Sequence, residues 1–400
     1  MTARPLPLDG VTVIDLSQIY NGPYATFLLA AAGAEVIKIE PPGGESLRRR
    51  GVVGGAALPF AMLNGCKQSL ALDLKSEAGK EVLRDLVRGG DILVENFAPG
   101  VMERLGLGCA ALQAINPRLI YAQSSGFGST GPYRDYPAMD LTVQAMAGVM
   151  SITGFSDRPP VKAGPALCDF SAGTHLYGAI VTALYEREKT GAGRQVEVAM
   201  LDAVYPSLSS SLGLYHGTGG SVPSRTGNRH GGLAEAPYNV YPTNDGYIAI
   251  ICVGDVHWRS LLTAMGREDL AADPRFATLG DRVAHVDEID RVVGQWTAGF
   301  DKQALFALLQ THRVPCAPVR ELAEVVHDPH MHERGALQWQ DHPELGRIVV
   351  QHSAMRYHGS ELRPLEPSHR LGADADRVLA DHAGRTPDQV AALRRDKVVS

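Results

Sequence analysis

Residues 164–175 read GPALCDFSAGTH, and Asp169 is the member of that stretch best suited to chemistry. Its neighbours are small or apolar, so water reaches it poorly. Two readings of this aspartate stand side by side. Aspartate is among the best helix N-caps, and a run of helical periodicity begins beside it at FSAGTHLYGAIVTALYERE. The same placement serves catalysis, because a carboxylate at a helix amino terminus stays ionised and attacks an acyl carbon without a separate base. Ser171, Ala172 and Gly173 leave room for a bulky acyl group. His175, about one and a half turns further on, falls on a different part of the helix surface and reads as structural.

Other reactive types are scattered. Glycines in NRHGG (228–232) offer backbone amides to an oxyanion or act as a hinge. Gly126 and Gly128 lack the third glycine and the lysine of a phosphate-cradling loop, so SSGFGSTGP reads as a turn. Arg104, two helical turns past a strand end, suits either a phosphate or solvent. The five cysteines are far apart in sequence with no CxxC pair, which argues for reduced thiols in a cytoplasmic protein and against a zinc site.

The elements that must position these groups alternate. VTVIDLS, a Gly-Pro turn, a helix and EVIKIE make a βαβ unit; SLALDL, a helix from Ser76 to Arg88, DILVENF and RLIYAQSSGFG continue it. This order predicts a doubly wound, Rossmann-like α/β fold with a parallel sheet. Ligands in such sheets bind beyond the carboxyl ends of the strands, here the loops at 18–23, 41–45, 96–100 and 124–133.

At 400 residues, two domains are the first expectation. The large α/β domain takes 1–203, a glycine-rich linker 204–236, a smaller α+β domain 237–312, and a return linker with the last part of the large domain 313–400. Within the small domain, YNVYPTNDGYIAIICV reads as a hairpin turning at 244–246. The hydrophobic share of 44% is ordinary for a globular chain, and the net charge of −6 carries no long block of one sign, so no nucleic-acid surface is expected. The proline-rich amino terminus has no signal-like apolar core, and no apolar run approaches the ~20 residues of a membrane span; a soluble, unprocessed chain is expected.

Taken together, AAGAEVIKIEPPGGE, NGCKQSLALDLKS, DILVENFAPGVMERLGL, NPRLIYAQSSGFGSTGPY, ALCDFSAGTHLYGAIVTALYEREKTGAGRQVEVAM and DPHMHERGAL resemble the family III CoA-transferases, in order, from about residue 7 to the carboxyl terminus. That group contains formyl-CoA:oxalate and carnitine CoA-transferases and the α-methylacyl-CoA racemases. The resemblance implies an interlocked homodimer whose smaller domain is inserted between two parts of the larger. It implies acyl-CoA and a carboxylic acid as substrates, the coenzyme A thioester being substrate and no prosthetic group or metal being needed. Asp169 matches the aspartate that carries the intermediate. Tyr20, Asn21, Leu72, Lys75, Asn96, Phe97, Arg104, Met139 and Asp140 match positions that contact CoA. Gly231 and Gly232 match a glycine loop that closes over the acyl intermediate.

Two departures shape the expected specificity. Tyr20 stands where formyl-CoA transferases have glutamine, so oxalate or formate cannot be carried over. Met139 stands where the racemases have a histidine, and methionine is neither acid nor base, which disfavours racemisation. Arg225, Arg229 and His230 beside the glycine loop are candidates to pair with a second carboxylate, which would favour dicarboxylates and succinyl-CoA as donor. A racemase-type isomerase and a non-catalytic CoA-ester binding protein are the alternatives.

Overall fold

Six short strands, β1 (Thr12–Asp15), β2 (Glu35–Glu40), β3 (Lys67–Ala71), β4 (Ile92–Glu95), β5 (Ile120–Ser125) and β6 (Gln195–Ala199), form one parallel sheet. Their order across it is β3-β2-β1-β4-β5-β6. The structure, a computed structural model, describes residues 4–49 and 57–400; the first three residues of the proline-rich amino terminus lie outside that range.

Both faces of this sheet are covered, so strands β1 to β5 are buried on both sides along nearly their whole length, even where they carry charged residues. Ile14, Ile37, Leu70 and Leu93 point into a core shared with Val82, Leu83 and Leu86 of helix Glu77–Gly89. The alternate residues Val13, Val36, Ile92 and Val94 face Ala25 and Leu29 of helix Asn21–Ala31 and Leu176, Ile180 and Leu184 of helix Leu167–Thr190. The expected doubly wound arrangement is therefore present. The helix read over Ser76 to Arg88 is Glu77–Gly89, and Ser76 caps it by accepting the Gly79 N–H at 3.0 Å. The carboxyl-terminal residues Val378, Leu379, Val390 and Val399 complete the first of these cores.

Residues up to Val143, Pro165–Val204 and Val326 onward form the unit around the parallel sheet; Gln144–Gly164 and Tyr205–Val325 form a second. The second unit has an antiparallel sheet of β7 (Tyr238–Thr243), β8 (Gly246–Ile251) and β9 (Cys316–Pro318), packed through Ile248 and Ile250 on Trp258, Leu261, Val293 and Leu305. The turn at 244–246 joins β7 to β8 as its Asn-Asp-Gly sequence predicts. RVPCAPV, read as a return connection, contributes β9, and the stretch read as a glycine-rich linker holds helix Ser209–Thr218. Glycine content suggested loose chain there, but Leu214 and Tyr215 lie within that helix, which ends on Gly219 at φ 61°.

Candidate active site

The sheet order reverses between β1 and β4, and the crevice beyond that switch point is where an open α/β sheet binds ligands. A cavity of about 360 Å³ opens there. Gln18 and Asn21 after β1, Asn96 and Phe97 after β4, Ser124 to Phe127 at the end of β5, and Met139, Asp140 and Asp169 line it. Three of the four loops singled out from strand ends thus contribute to one wall system.

Asp169 lies in the first turn of helix Leu167–Thr190 but does not cap it. The N-cap position is Ala166, and the free amides of Cys168 and Asp169 are taken by Oδ1 of Asp140, at 2.8 and 3.3 Å. The N-cap reading of Asp169 is therefore overturned: a remote aspartate performs that role, which leaves the Asp169 side chain to point elsewhere. Asn21, at the start of the first helix, lines the same cavity, and its N–H favours the charged form of Asp169. Only 7% of Asp169 is exposed.

Burial, with the Asp140 carboxylate adding to it, pushes the Asp169 carboxyl up to about 7, against the pull of the Asn21 N–H. The expectation of a fully ionised carboxylate needs correcting. Helix position favours the anion, but desolvation outweighs it, so the carboxyl keeps its proton to higher pH than an exposed aspartate does. Cys168 next door is pushed up to about 12, by burial first and then by Asp140 and Asp169, so its thiol is inert. His175 is exposed and bonds the Ser171 carbonyl at 2.9 Å, in keeping with a structural role.

The expected CoA-binding residues separate into groups. Asn21, Asn96, Phe97, Met139 and Asp140 share the Asp169 cavity. Leu72, Lys75 and Phe97 line a second, mainly apolar cavity of about 280 Å³ with Leu74 and Leu105; Gln18 and Phe97 belong to both. Tyr20 instead stacks on Phe170, ring centres 5.8 Å apart, while Tyr24 meets Phe170 edge-on at 5.0 Å. Arg104 is exposed at the end of the short helix Val101–Arg104 and lines neither cavity.

Gly231, Gly232, Arg225, Arg229 and His230 lie in the second unit, and most have local partners there. The Gly232 N–H donates to His230 Nδ1 at 3.2 Å, so this amide is already engaged rather than open to an oxyanion. A Cβ on Gly231 would come 3.1 Å from Ser211 Oγ, and one on Gly232 would come 3.1 Å from the Ser210 carbonyl, so both glycines pack closely on helix Ser209–Thr218. Arg229 pairs with Asp287 and Asp290 at 2.6 and 2.7 Å, and Arg225 donates to the carbonyls of Phe155 and Arg158. Both guanidinium groups are thus held by the chain itself, and a substrate carboxylate would have to compete with these partners.

Sequence reasoning missed a buried charge network beneath the cavity. Lys67 Nζ reaches Asp15 at 3.0 Å and Lys38 reaches Glu45 at 3.3 Å, all four side chains being almost wholly buried. Burial alone would raise the Asp15 carboxyl, but Lys38, Lys67 and hydrogen bonds from Ser17 and Thr26 hold it well below the usual carboxylate range. The signal was the charge inside strands otherwise built for a dry core: Asp15 in VTVID, Lys38 in EVIKIE and Lys67 in KQSLA. Arg134, which also lines the Asp169 cavity, had no pattern to mark it.

Among the described residues, no group of three or more His, Cys, Asp or Glu side chains is placed to hold a metal ion, and no helix is long and apolar enough to cross a membrane. The five cysteines are unpaired.

Comparison with known proteins agrees with this geometry. The family described as CoA-transferase family III matches residues 8–375. The chain is 37% identical over 393 residues to the acetyl-CoA:oxalate CoA-transferase of Acetobacter aceti, covering 98% of this chain and 95% of that one. It is 36% identical over 399 residues to the succinyl-CoA–D-citramalate CoA-transferase of Chloroflexus aurantiacus, covering 99% and 98%. Among solved structures, a CAIB/BAIF family protein from Brucella suis superposes with a TM-score of 0.83 at 33% identity, covering 95% of this chain and 100% of that one. With the family matched along nearly its whole length and the parallel-sheet fold in common, the chain belongs to CoA-transferase family III and is a CoA-transferase.

Proposed function

We propose that this enzyme moves coenzyme A between carboxylic acids through covalent intermediates on Asp169, with a dicarboxylate among its acids and succinyl-CoA as donor. The observation that carries this reading is a poorly solvated carboxylate in the switch-point cavity of a family III chain, met by the backbone N–H of Asn21. The ionised Asp169 attacks the donor thioester carbonyl; the C–S bond breaks, giving a mixed anhydride and CoA thiolate. The thiolate adds to the Asp169 carbonyl carbon and expels the donor acid as its carboxylate, leaving an aspartyl-CoA thioester. The acceptor carboxylate attacks that thioester, releasing the thiolate, which then attacks the acceptor acyl carbon of the new anhydride and regenerates Asp169. Every step exchanges one activated carbonyl for another. Burial of Asp169 supports this chemistry by limiting hydrolysis of the anhydride.

The apolar cavity with Leu72, Leu74, Lys75 and Phe97 suits the adenosine end of CoA, and Phe97, common to both cavities, suits the passage of the pantetheine arm. Arg134, which lines the Asp169 cavity and pairs at 3.2 Å with the adjacent exposed Asp135, joins Arg225, Arg229 and His230 as a candidate partner for a second substrate carboxylate. Dicarboxylate use is supported by the names of the relatives, which specify oxalate and, with succinyl-CoA, D-citramalate. Met139 beside Asp140 offers no acid or base for racemisation. An interlocked homodimer with an inserted second domain fits the 65% exposure of Tyr185 and helix Ser209–Thr218, none of whose residues is buried. Unpaired thiols fit a cytoplasmic setting.

Incubation with succinyl-CoA followed by mass spectrometry of the peptide containing Asp169 tests the reading. A CoA-sized adduct that disappears in Asp169→Ala, together with loss of transfer, is the expected result. Full transfer by Asp169→Ala refutes it. Solvent deuterium entering the α-carbon with no acid acceptor present selects the isomerase.

A further inference from the structure

Asn96 sits at the carboxyl end of β4, among the residues expected to touch CoA, yet its side chain is turned to another task. Its Nδ2 donates to the Gln18 carbonyl and to Asn21 Oδ1, each at 2.8 Å, and its Oδ1 accepts the Gln18 N–H at 2.8 Å. Both donor hydrogens are used within the chain.

The turn that Asn96 grips is strained. Ile19 has φ 66°, a left-handed conformation that a β-branched residue rarely adopts, so its surroundings must enforce it. Glu45 does so from the other side, Oε2 accepting the Ile19 N–H at 2.8 Å. Glu45 is itself fixed by its buried ion pair with Lys38, whose ammonium also donates to the Ser17 carbonyl. Residues 17–19 are thus held from β2, from the loop after it and from the end of β4. Two residues past Ile19, helix Asn21–Ala31 begins, and Asn21 lines the same cavity as Asp169, with its N–H placed to favour the carboxylate.

We propose that Asn96 and Glu45 are positioning residues that hold the 17–21 turn in its left-handed form, so that the Asn21 N–H is aimed at a carboxyl oxygen of Asp169. The inference rests on Asp169 being the acyl carrier. When the CoA thiolate adds to the acylated Asp169 carbonyl, the π electrons move to that oxygen. A donor already in place stabilises the oxyanion without reorganising, and collapse then expels the donor acid.

The test is the kinetics of label exchange between succinyl-CoA and isotope-labelled succinate in Asn96→Ala, beside Glu45→Ala and Glu45→Gln. A small displacement of a reacting group costs about 10²-fold in rate. Asn96→Ala is therefore expected to lose about 10²-fold in kcat with KM for succinyl-CoA within about twofold. Glu45→Ala behaves likewise, while Glu45→Gln, which keeps an acceptor for the Ile19 N–H, recovers most of the loss. The acid limb of the kcat/KM profile also moves to higher pH in Asn96→Ala, because the donor that favours the Asp169 anion is displaced. The groups around that carboxylate, Asp140, Cys168 and Arg134, are unchanged. A raised KM with wild-type kcat overturns the proposal and makes Asn96 a CoA ligand. Should Asn96→Ala fail to fold, Asn96→Ser and the Glu45 pair read the same split. If the wild type forms no adduct at Asp169, the reading of Asp169 fails; if it forms one and the variants turn over normally, this inference alone fails.

Discussion

Replacing Asp169 by asparagine should stabilise the protein, by an amount that grows as pH rises from about 4 to about 7. In the unfolded chain this carboxyl titrates near its ordinary value of 3.8, whereas in the folded chain it is raised to about 7. Between those values the folded state binds more protons than the unfolded state, so the contribution of Asp169 to stability falls as pH rises from about 4 to about 7 and stays at its lowest above that. A shift of about three units corresponds to about 4 kcal/mol as an upper bound, and partial solvation brings the expected penalty to roughly 2–4 kcal/mol at pH 8. Asparagine has no charge to desolvate and keeps the acceptor for the Asn21 N–H. Urea denaturation of CoA-free wild type and Asp169→Asn at pH 5 and pH 8 measures this. The variant should gain stability over wild type at pH 8, with a much smaller gain at pH 5. The same ionisation should appear in catalysis: kcat/KM of the wild type rises about tenfold from pH 6 to pH 8, following the anion. A stability difference that is equal at both pH values, or larger at pH 5, refutes the account of Asp169 as a carboxylate held against its own ionisation.

The remaining predictions concern how the site is held. A Cβ on Gly173 would lie 2.6 Å from the Asn21 carbonyl and 3.1 Å from Tyr24 Cδ1, so Gly173→Ala should force apart the two helix starts that meet at Asp169. A cost of about 1–3 kcal/mol is expected in denaturation, with a fall in kcat larger than any change in KM. Lys67→Met leaves Asp15 with one cationic partner in a dry interior and removes donors to Pro23, Thr26 and Asn64; a loss of roughly 3–5 kcal/mol should be seen in urea melts. Phe97→Ala opens the wall shared by both cavities, and KM for succinyl-CoA should rise about tenfold or more with little change in thermal stability.

The local elements and the class of chemistry were legible in the residues alone. Period and turn residues located five of the six strands of the parallel sheet, the helix after Ser76 and the hairpin at 244–246, because each depends on a few neighbouring side chains. The strand-end rule then pointed to the loops around Gln18, Asn96 and Ser124, and the ordered motifs identified the family. Tertiary structure decided what Asp169 is. Its pattern suits an N-cap, and only the fold brings Asp140 onto the helix amides and Asn21 against the carboxylate, changing its ionisation. The same holds for Asn96 and Arg229, whose partners are distant in sequence: Gln18 for one, Asp287 and Asp290 for the other. Residue type states which bonds a side chain is able to make; which of them it makes depends on what the fold places within about 3 Å, and burial then sets the charge it carries.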